Sequence, residues 1–216
     1  NHDDAQTLTL ALRDQLLGLV MHLNYTIFPH QDVIIRSAEF QNQGNEKLTL
    51  NSAASAQLDL PDADYDFIQF SGAWSRERHM IRTHLRSGVQ SIGSLRGTSS
   101  HQQNPFVMLA RPNTDDASGS VFGFNLVYSG NFSDQVQVDQ YDASRVLVGI
   151  NPEEFAWNLK PGDKFQTPEA VLSYTDAGMN QLSQQMGAFY QNHLVNQRFA
   201  HEQRPTLINN WEATFM

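Results

Sequence analysis

Leu17-Gly18-Leu19-Val20-Met21-His22-Leu23-Asn24-Tyr25-Thr26-Ile27 decides the fold class, because a large apolar side chain falls at every second position from Leu17 to Ile27. Successive strand residues point to opposite faces, so this spacing predicts a β-strand with one buried face. Upstream, Leu8, Leu10 and Leu12 alternate in the same way with Thr7, Thr9 and Ala11. Downstream, strands are predicted over 32–41, 47–60, 66–71, 75–85, 106–111, 121–128, 135–139, 145–150 and 164–174. Turn residues separate them, among them Asn42-Gln43-Gly44-Asn45, Pro112-Asn113-Thr114-Asp115, Ser129-Gly130-Asn131 and Lys160-Pro161-Gly162-Asp163. A run of some ten strands without intervening helices reads as mainly β, a large antiparallel sandwich.

From Asp176 onward the period changes. Met179, Leu182, Met186, Phe189, Tyr190, His193 and Leu194 recur at three and four residues. This predicts one helix of about four or five turns, with Asp176 as N-cap and an end near Arg198. Beyond it, Thr206–Ile208 reads as a short terminal strand running into Asn209-Asn210-Trp211-Glu212. Polar residues past the C-terminal end of a strand are where barrel enzymes place substrate contacts, and a frayed terminal strand has the same pattern.

The 216 residues carry a net charge of −9, from 14 basic and 23 acidic side chains. A general nucleic-acid binder needs a basic surface to neutralise phosphates, so that class is excluded. There is no cysteine, which removes disulfides, thiolate metal sites and cysteine nucleophiles and suits a reducing compartment. The most apolar run, Leu16–Leu23, is interrupted by Gly18 and His22 and falls short of the roughly 18 residues of a membrane span. Asn1-His2-Asp3-Asp4 lacks the basic start of a signal peptide, and with no Met ahead of it the chain reads as an internal piece of a longer protein. The 16 asparagines and 20 glutamines nearly equal the charged residues in number, a surface suited to a cytoplasmic protein handling neutral polar ligands.

Four stretches bear on chemistry. Asp59, Asp62, Asp64 and Asp66 surround Pro61 without the glycine and terminal Glu of a calcium loop, so a solvated loop is expected. In Gly72-Ala73-Trp74-Ser75-Arg76-Glu77-Arg78-His79, the indole could stack on a sugar ring or pack in the core. The even spacing of Arg76, Arg78, Arg82 and Arg86 would place four guanidinium groups on one strand face, as a contact surface or a solvated one. Gly97-Thr98-Ser99-Ser100-His101 sets hydroxyls beside an imidazole, but sequence adjacency provides neither the convergence nor the orienting group of a catalytic pair, and a hydrogen-bonded loop is expected. The eight histidines include no H-E-x-x-H, and neither G-x-G-x-x-G nor a P-loop occurs, so no metal and no nucleotide cofactor is expected.

The run from Asp59-Leu60-Pro61-Asp62 to Phe70-Ser71-Gly72-Ala73-Trp74-Ser75-Arg76-Glu77-Arg78-His79 resembles the N-terminal domain of glycoside hydrolase family 36 α-galactosidases. So do Arg96-Gly97-Thr98-Ser99-Ser100-His101-Gln102, Tyr128-Ser129-Gly130-Asn131-Phe132, Gly149-Ile150-Asn151-Pro152 and Phe165-Gln166-Thr167-Pro168-Glu169. The closing Asn209-Asn210-Trp211-Glu212-Ala213-Thr214 is similar to the family's link into its catalytic barrel. The resemblance implies a galactose mutarotase-like antiparallel β-supersandwich over 1–175, present in part, a linking helix over 176–203, and the first strand of a (β/α)8 barrel over 204–216. It further implies a homotetrameric, cofactor-free enzyme that hydrolyses terminal α-D-galactosides of the melibiose and raffinose type with retention. Retention needs two carboxyls about 5–5.5 Å apart. In the family both are aspartates late in the barrel, so this chain would hold no catalytic residue and be inactive alone. Two substrate-binding residues follow from the resemblance: Trp211, walling the galactose pocket, and Trp74, reaching into a neighbouring subunit's site. The rival expectation is a stand-alone carbohydrate-binding or structural sandwich.

Overall fold

The computed structural model describes residues 5–210. Fifteen strands form among them: β1 (Gln6–Asp14), β2 (Leu19–Phe28), β3 (Val33–Asn42), β4 (Leu48–Leu50), β5 (Ala54–Leu60), β6 (Asp66–Ala73), β7 (Arg76–His84), β8 (Gly88–Gly93), β9 (Gln103–Ala110), β10 (Val121–Val127), β11 (Phe132–Val138), β12 (Ser144–Ile150), β13 (Trp157–Leu159), β14 (Lys164–Gln166) and β15 (Glu169–Thr175). The large sheet runs β1-β2-β3-β15-β10-β9-β6-β7, with β14 also on β3, and a second sheet runs β5-β12-β11-β8. The strands named here pair antiparallel throughout, and β13 and β4 make a separate ribbon. The antiparallel sandwich expected from the alternation is the observed fold.

One core lies between the sheets, where Phe67, Val107, Leu109, Phe124 and Leu126 of the large sheet meet Phe132, Val136, Val146 and Val148 of the small one. A second core lies on the opposite face of the large sheet. There Val33, Ile68, Met108, Val121 and Val171 are covered by Leu182, Met186 and Phe189 of the helix α1 (Gly178–Phe189). The centre of the large sheet is therefore apolar on both faces, which is why Phe106–Ala110 reads as a continuous apolar run and not as an alternation.

The small sheet does not extend over β1 and β2. Leu8, Leu10 and Leu12 register with Tyr25, Leu23 and Met21 on the side facing the small sheet, and Leu8 remains 58% exposed. The other side is polar, with the Thr7 hydroxyl bonded to that of Thr26 at 2.9 Å and the Thr9 hydroxyl donating to Asn24 at 2.8 Å.

Several local expectations are corrected. The 47–60 strand is two strands in different sheets, β4 turning away to pair with β13. The 164–174 strand is broken at Thr167-Pro168, because proline has no N–H for a ladder; Thr167 bonds both the N–H and the carbonyl of Ala38 at 2.9 Å instead. β8 and β13 carried too few apolar residues to be read. Asp176 is not the helix cap: Ala177 holds that position without a side-chain bond. The first N–H groups, of Gly178, Met179 and Asn180, donate to the carbonyls of Gly119, Asp115 and Asp116 at 3.0 Å, so a neighbouring loop satisfies the helix start. The single helix ends early: α1 passes into a π-helical turn over Tyr190–Leu194, and α2 (Gln197–Ala200) restarts from an Asn196 cap. Residues 203–210 are in neither helix nor sheet, since the terminal strand expected at Thr206–Ile208 has no described strand beside it to bond, and Leu207 is 90% exposed.

Asp134 departs from the core's chemistry. It sits on the inner face of β11 between Ile92 of β8 and Val148 of β12, fully buried, with neither carboxyl oxygen bonded among the described residues. Burial pushes its pKa well above the ordinary carboxylate range. The native state then holds a proton that the unfolded chain has released, so stability falls as pH rises above the unfolded pKa near 4, by about 1.4 kcal/mol per unit until the folded pKa is reached. Asp134→Asn, which stays neutral, is expected to unfold at a higher temperature than the parent at pH 7.5, with the gain shrinking towards pH 4. A gain independent of pH in thermal unfolding would contradict a buried ionisable acid.

Candidate functional site

The β6–β7 hairpin is one residue pair from closure at its tip: Ala73 registers with Arg76, leaving Trp74 and Ser75 as the loop. Ser75 has a φ of 63°, and its N–H donates to Glu77 Oε1 at 3.0 Å. Gly72 is required where the arms approach, because a Cβ there would lie 2.5 Å from the Arg76 carbonyl oxygen. Trp74 is left 81% exposed at the end of this arm. The core-tryptophan alternative is thereby removed, and an indole offered to solvent is suited to stacking on an apolar sugar face or another flat surface.

The hairpin is anchored to the loop that follows β8. The Gly72 N–H and the Ser71 hydroxyl both donate to the Gln102 carbonyl, at 3.2 and 3.0 Å. That loop is held in turn by its own bonds and by two other motif stretches. Gly97 N–H donates to Asn131 Oδ1 at 2.6 Å, Ser99 N–H to the Ser129 carbonyl at 2.9 Å, and the Ser94 hydroxyl to the Thr98 carbonyl at 2.6 Å. The Asn151 amide donates to the carbonyls of Ser94 and Phe132, both at 3.3 Å. Ser100 Oγ accepts from Arg96 at 3.0 Å and from the Gln102 N–H at 3.2 Å, so its hydroxyl belongs to the loop, as expected. The stretches that looked chemically dense are thus tied to one another beneath the tryptophan.

The arginine stripe does not form. Arg78 takes a φ of 57° within a register shift, which breaks the alternation, and Arg86 lies past the end of β7. Arg82 is a strut: its Nε donates to Asp66 at 2.6 Å, and its other nitrogens donate to the carbonyls of Arg111, Pro112 and Thr114 at 2.7–3.1 Å. The acidic run is likewise engaged and not merely solvated. Asp59 receives two bonds from Arg145, and Asp62 two from Arg111, whose hydrogen bond holds the Asp62 carboxyl below its ordinary pKa. Burial acts to raise Asp66, but bonds from Arg82 and His84 outweigh it and leave its pKa lowered. Among the described residues no three His, Asp or Glu side chains are grouped to hold a metal ion. Trp211 lies outside the described residues.

A groove of about 600 Å³ opens between α1 and the large sheet, lined in part by Met80, Met108, Met179 and Met186. Its walls come from β7, β9 and α1, far apart in the chain, so no local pattern announces it.

Comparison with known proteins places these features. Residues 1–160 match the model of the glycosyl hydrolase family 36 N-terminal domain, and residues 164–216 match the melibiase model. Alpha-galactosidase AgaA of Geobacillus stearothermophilus is 49% identical over 215 residues, covering 100% of this chain and 30% of its own length. Alpha-galactosidase Mel36A of Lactobacillus acidophilus is 40% identical, with 99% of this chain and 29% of its own length covered. The crystal structure of the α-galactosidase from Lactobacillus brevis superposes with a TM-score of 0.97 at 69% identity, over 99% of this chain and 29% of that one. An AgaA variant crystallised with stachyose superposes at 0.96, with 49% identity, over 100% of this chain and 30% of that one. The chain therefore spans about 30% of the length of these relatives.

Asn131→Ala is expected to free the Gly97 N–H and speed its hydrogen exchange, at a cost of about 1 kcal/mol because water replaces the lost acceptor at this exposed loop. Unchanged exchange at Gly97 would show that the remaining loop bonds suffice.

Proposed function

The chain belongs to glycosyl hydrolase family 36, and from that membership we propose that it is the non-catalytic N-terminal portion of an α-galactosidase. The observation that carries the reading is the family match over residues 1–160, joined without a gap of more than a few residues to the melibiase match over 164–216. The whole protein would hydrolyse terminal α-D-galactosides with retention, using two carboxyls about 5–5.5 Å apart. Family membership implies that these are contributed by the catalytic barrel and not by this portion, where Asp59, Asp62 and Asp66 are each paired with an arginine. The chain by itself would be inactive.

Within that enzyme the sandwich acts through position. Trp74 would be carried by the β6–β7 hairpin into the active site of a neighbouring subunit, in a tetramer, and would stack on the substrate while excluding water. Its exposure on an anchored two-residue loop supports this role. Trp211 would wall the galactose pocket of its own subunit at the entry to the barrel. A cysteine-free chain suits a cytoplasmic enzyme.

The decisive assay is hydrolysis of p-nitrophenyl α-galactoside by the uninterrupted polypeptide, with the 216-residue chain beside it. Turnover by the long form and none by the short is expected; silence in both would favour the stand-alone sugar-binding sandwich. In the assembled full-length enzyme, Trp74→Ala should raise KM or lower kcat by about tenfold, the worth of roughly 1.4 kcal/mol of lost stacking. Kinetics equal to the parent would remove Trp74 from the site.

A further inference from the structure

The two-residue loop that carries Trp74 is built against its own preferences. Ser75 takes the left-handed region, at a φ of 63°, whereas Trp74 ahead of it does not. A left-handed residue at the second loop position alone is the φ pattern of a type II turn, in which glycine is the usual occupant. Hairpins favour the mirror-image turns, because type I and II loops splay the two arms. A serine in the glycine position of a disfavoured loop keeps that shape only where its surroundings hold it.

Glu77 supplies that hold. Its Oε1 accepts the Ser75 N–H at 3.0 Å, the one hydrogen bond its side chain makes among the described residues. A carboxylate accepting from a backbone N–H is among the stronger kinds of hydrogen bond. The carboxylate is in turn aimed by a bulge. Ala73 registers with Arg76 and Ser71 with His79, so Gly72 stands opposite both Glu77 and Arg78. Arg78, at a φ of 57°, absorbs the extra residue, and bulges of this kind re-aim a side chain. A Cβ on Gly72 would come within 2.8 Å of the Glu77 Cα, so glycine is needed for the bulge to close. Gly72 itself donates to the Gln102 carbonyl at 3.2 Å. The line of contacts therefore runs from the Gln102 loop through Gly72 and Glu77 to the peptide group that follows Trp74.

We infer that Glu77 is a positioning residue for Trp74: by accepting the Ser75 N–H, its carboxylate sets the direction in which the indole leaves the loop. The inference rests on the reading of Trp74 as a substrate contact. A peptide group is planar, so fixing the N–H of the Trp74–Ser75 peptide fixes its whole plane and restricts the backbone that carries the Trp74 side chain. What Glu77 contributes is an acceptor oxygen and not a charge. The amide oxygen of glutamine accepts the same bond, so glutamine preserves the role and alanine abolishes it.

The test uses the full-length enzyme, with p-nitrophenyl α-galactoside kinetics and amide exchange on Glu77→Ala, Glu77→Gln, Trp74→Ala and the double variant Trp74→Ala/Glu77→Ala. Glu77→Ala should shift the same constant that Trp74→Ala shifts, KM or kcat, by about threefold, a share of the loss expected on removing the ring. Glu77→Gln should stay within about 1.5-fold of the parent. In the Trp74→Ala background, loss of the carboxylate should add less than about 1.5-fold, because a group that aims the indole then has nothing to aim. Exchange of the Ser75 N–H should quicken about threefold or more in Glu77→Ala and hold its parent rate in Glu77→Gln. Full additivity, a glutamine variant as impaired as the alanine one, or unchanged exchange at Ser75 in Glu77→Ala overturns the inference. Parent kinetics in Glu77→Ala beside an impaired Trp74→Ala overturns it too, and leaves the reading of Trp74 standing. Parent kinetics in Trp74→Ala removes that reading and this inference with it.

Discussion

The architecture depends on one constraint: the middle of the large sheet is apolar on both faces and must be covered twice. Val107, Met108, Leu109 and Ala110 are four consecutive buried residues on β9, two for each face. The small sheet covers one face and α1 the other. The helix fits because β10 carries Gly123 beneath it, where a Cβ would press to 3.0–3.4 Å on Leu182. The loop over 112–119 starts that helix with its own carbonyls, and Arg82 clamps the loop to β7. Helix, loop and hairpin are thus one connected support, in which the exposed tryptophan is the far end.

The strands were legible wherever apolar and polar residues alternate, on β1 even though its leucines stay exposed. Leu8 to Leu12 and Leu19 to Ile27 declared themselves by period, and so did the helix heptad from Met179 to Phe189. The expectation failed where a backbone group was satisfied from far away in sequence. The Asp176 cap lost to carbonyls some sixty residues upstream, and the 164–174 strand lost its continuity to a proline whose duties pass to Thr167. The candidate site shows the same division. Gly72-Ala73-Trp74 signalled an unusual tryptophan, but its exposure is a property of the hairpin and of the Gln102 carbonyl that holds it. The arginine stripe looked like a surface because pattern counts spacing and cannot register that Arg78 takes a left-handed conformation.

The motif residues that most resembled a binding site bond chiefly to one another. Asn131, Asn151, Ser94 and Gly97 bring three separated stretches into one knot, and their polarity is consumed there. Such residues are specified as tightly as ligand contacts, because a buried or loop-locking polar group loses its partner when any member changes. A dense polar motif in this sandwich therefore marks mechanical fixation of the hairpin that carries Trp74.

The order of strands in the large sheet sets a clock on folding. β3 sits between its sequence neighbour β2 and β15, with Val33 registered on Ser173. During synthesis the three-strand meander β1-β2-β3 emerges well before β15, with the β3 edge unpaired. The strand that joins it to the rest of the sheet follows about 140 residues later, an interval of roughly 7 to 28 s at ordinary elongation rates of about 5–20 residues per second. Through that interval the meander is a long, flat, sticky edge. A ribosome-bound chain of this topology keeps the β3 edge open to wrong partners throughout the stretch between β3 and β15, and closes it once Thr175 has been made.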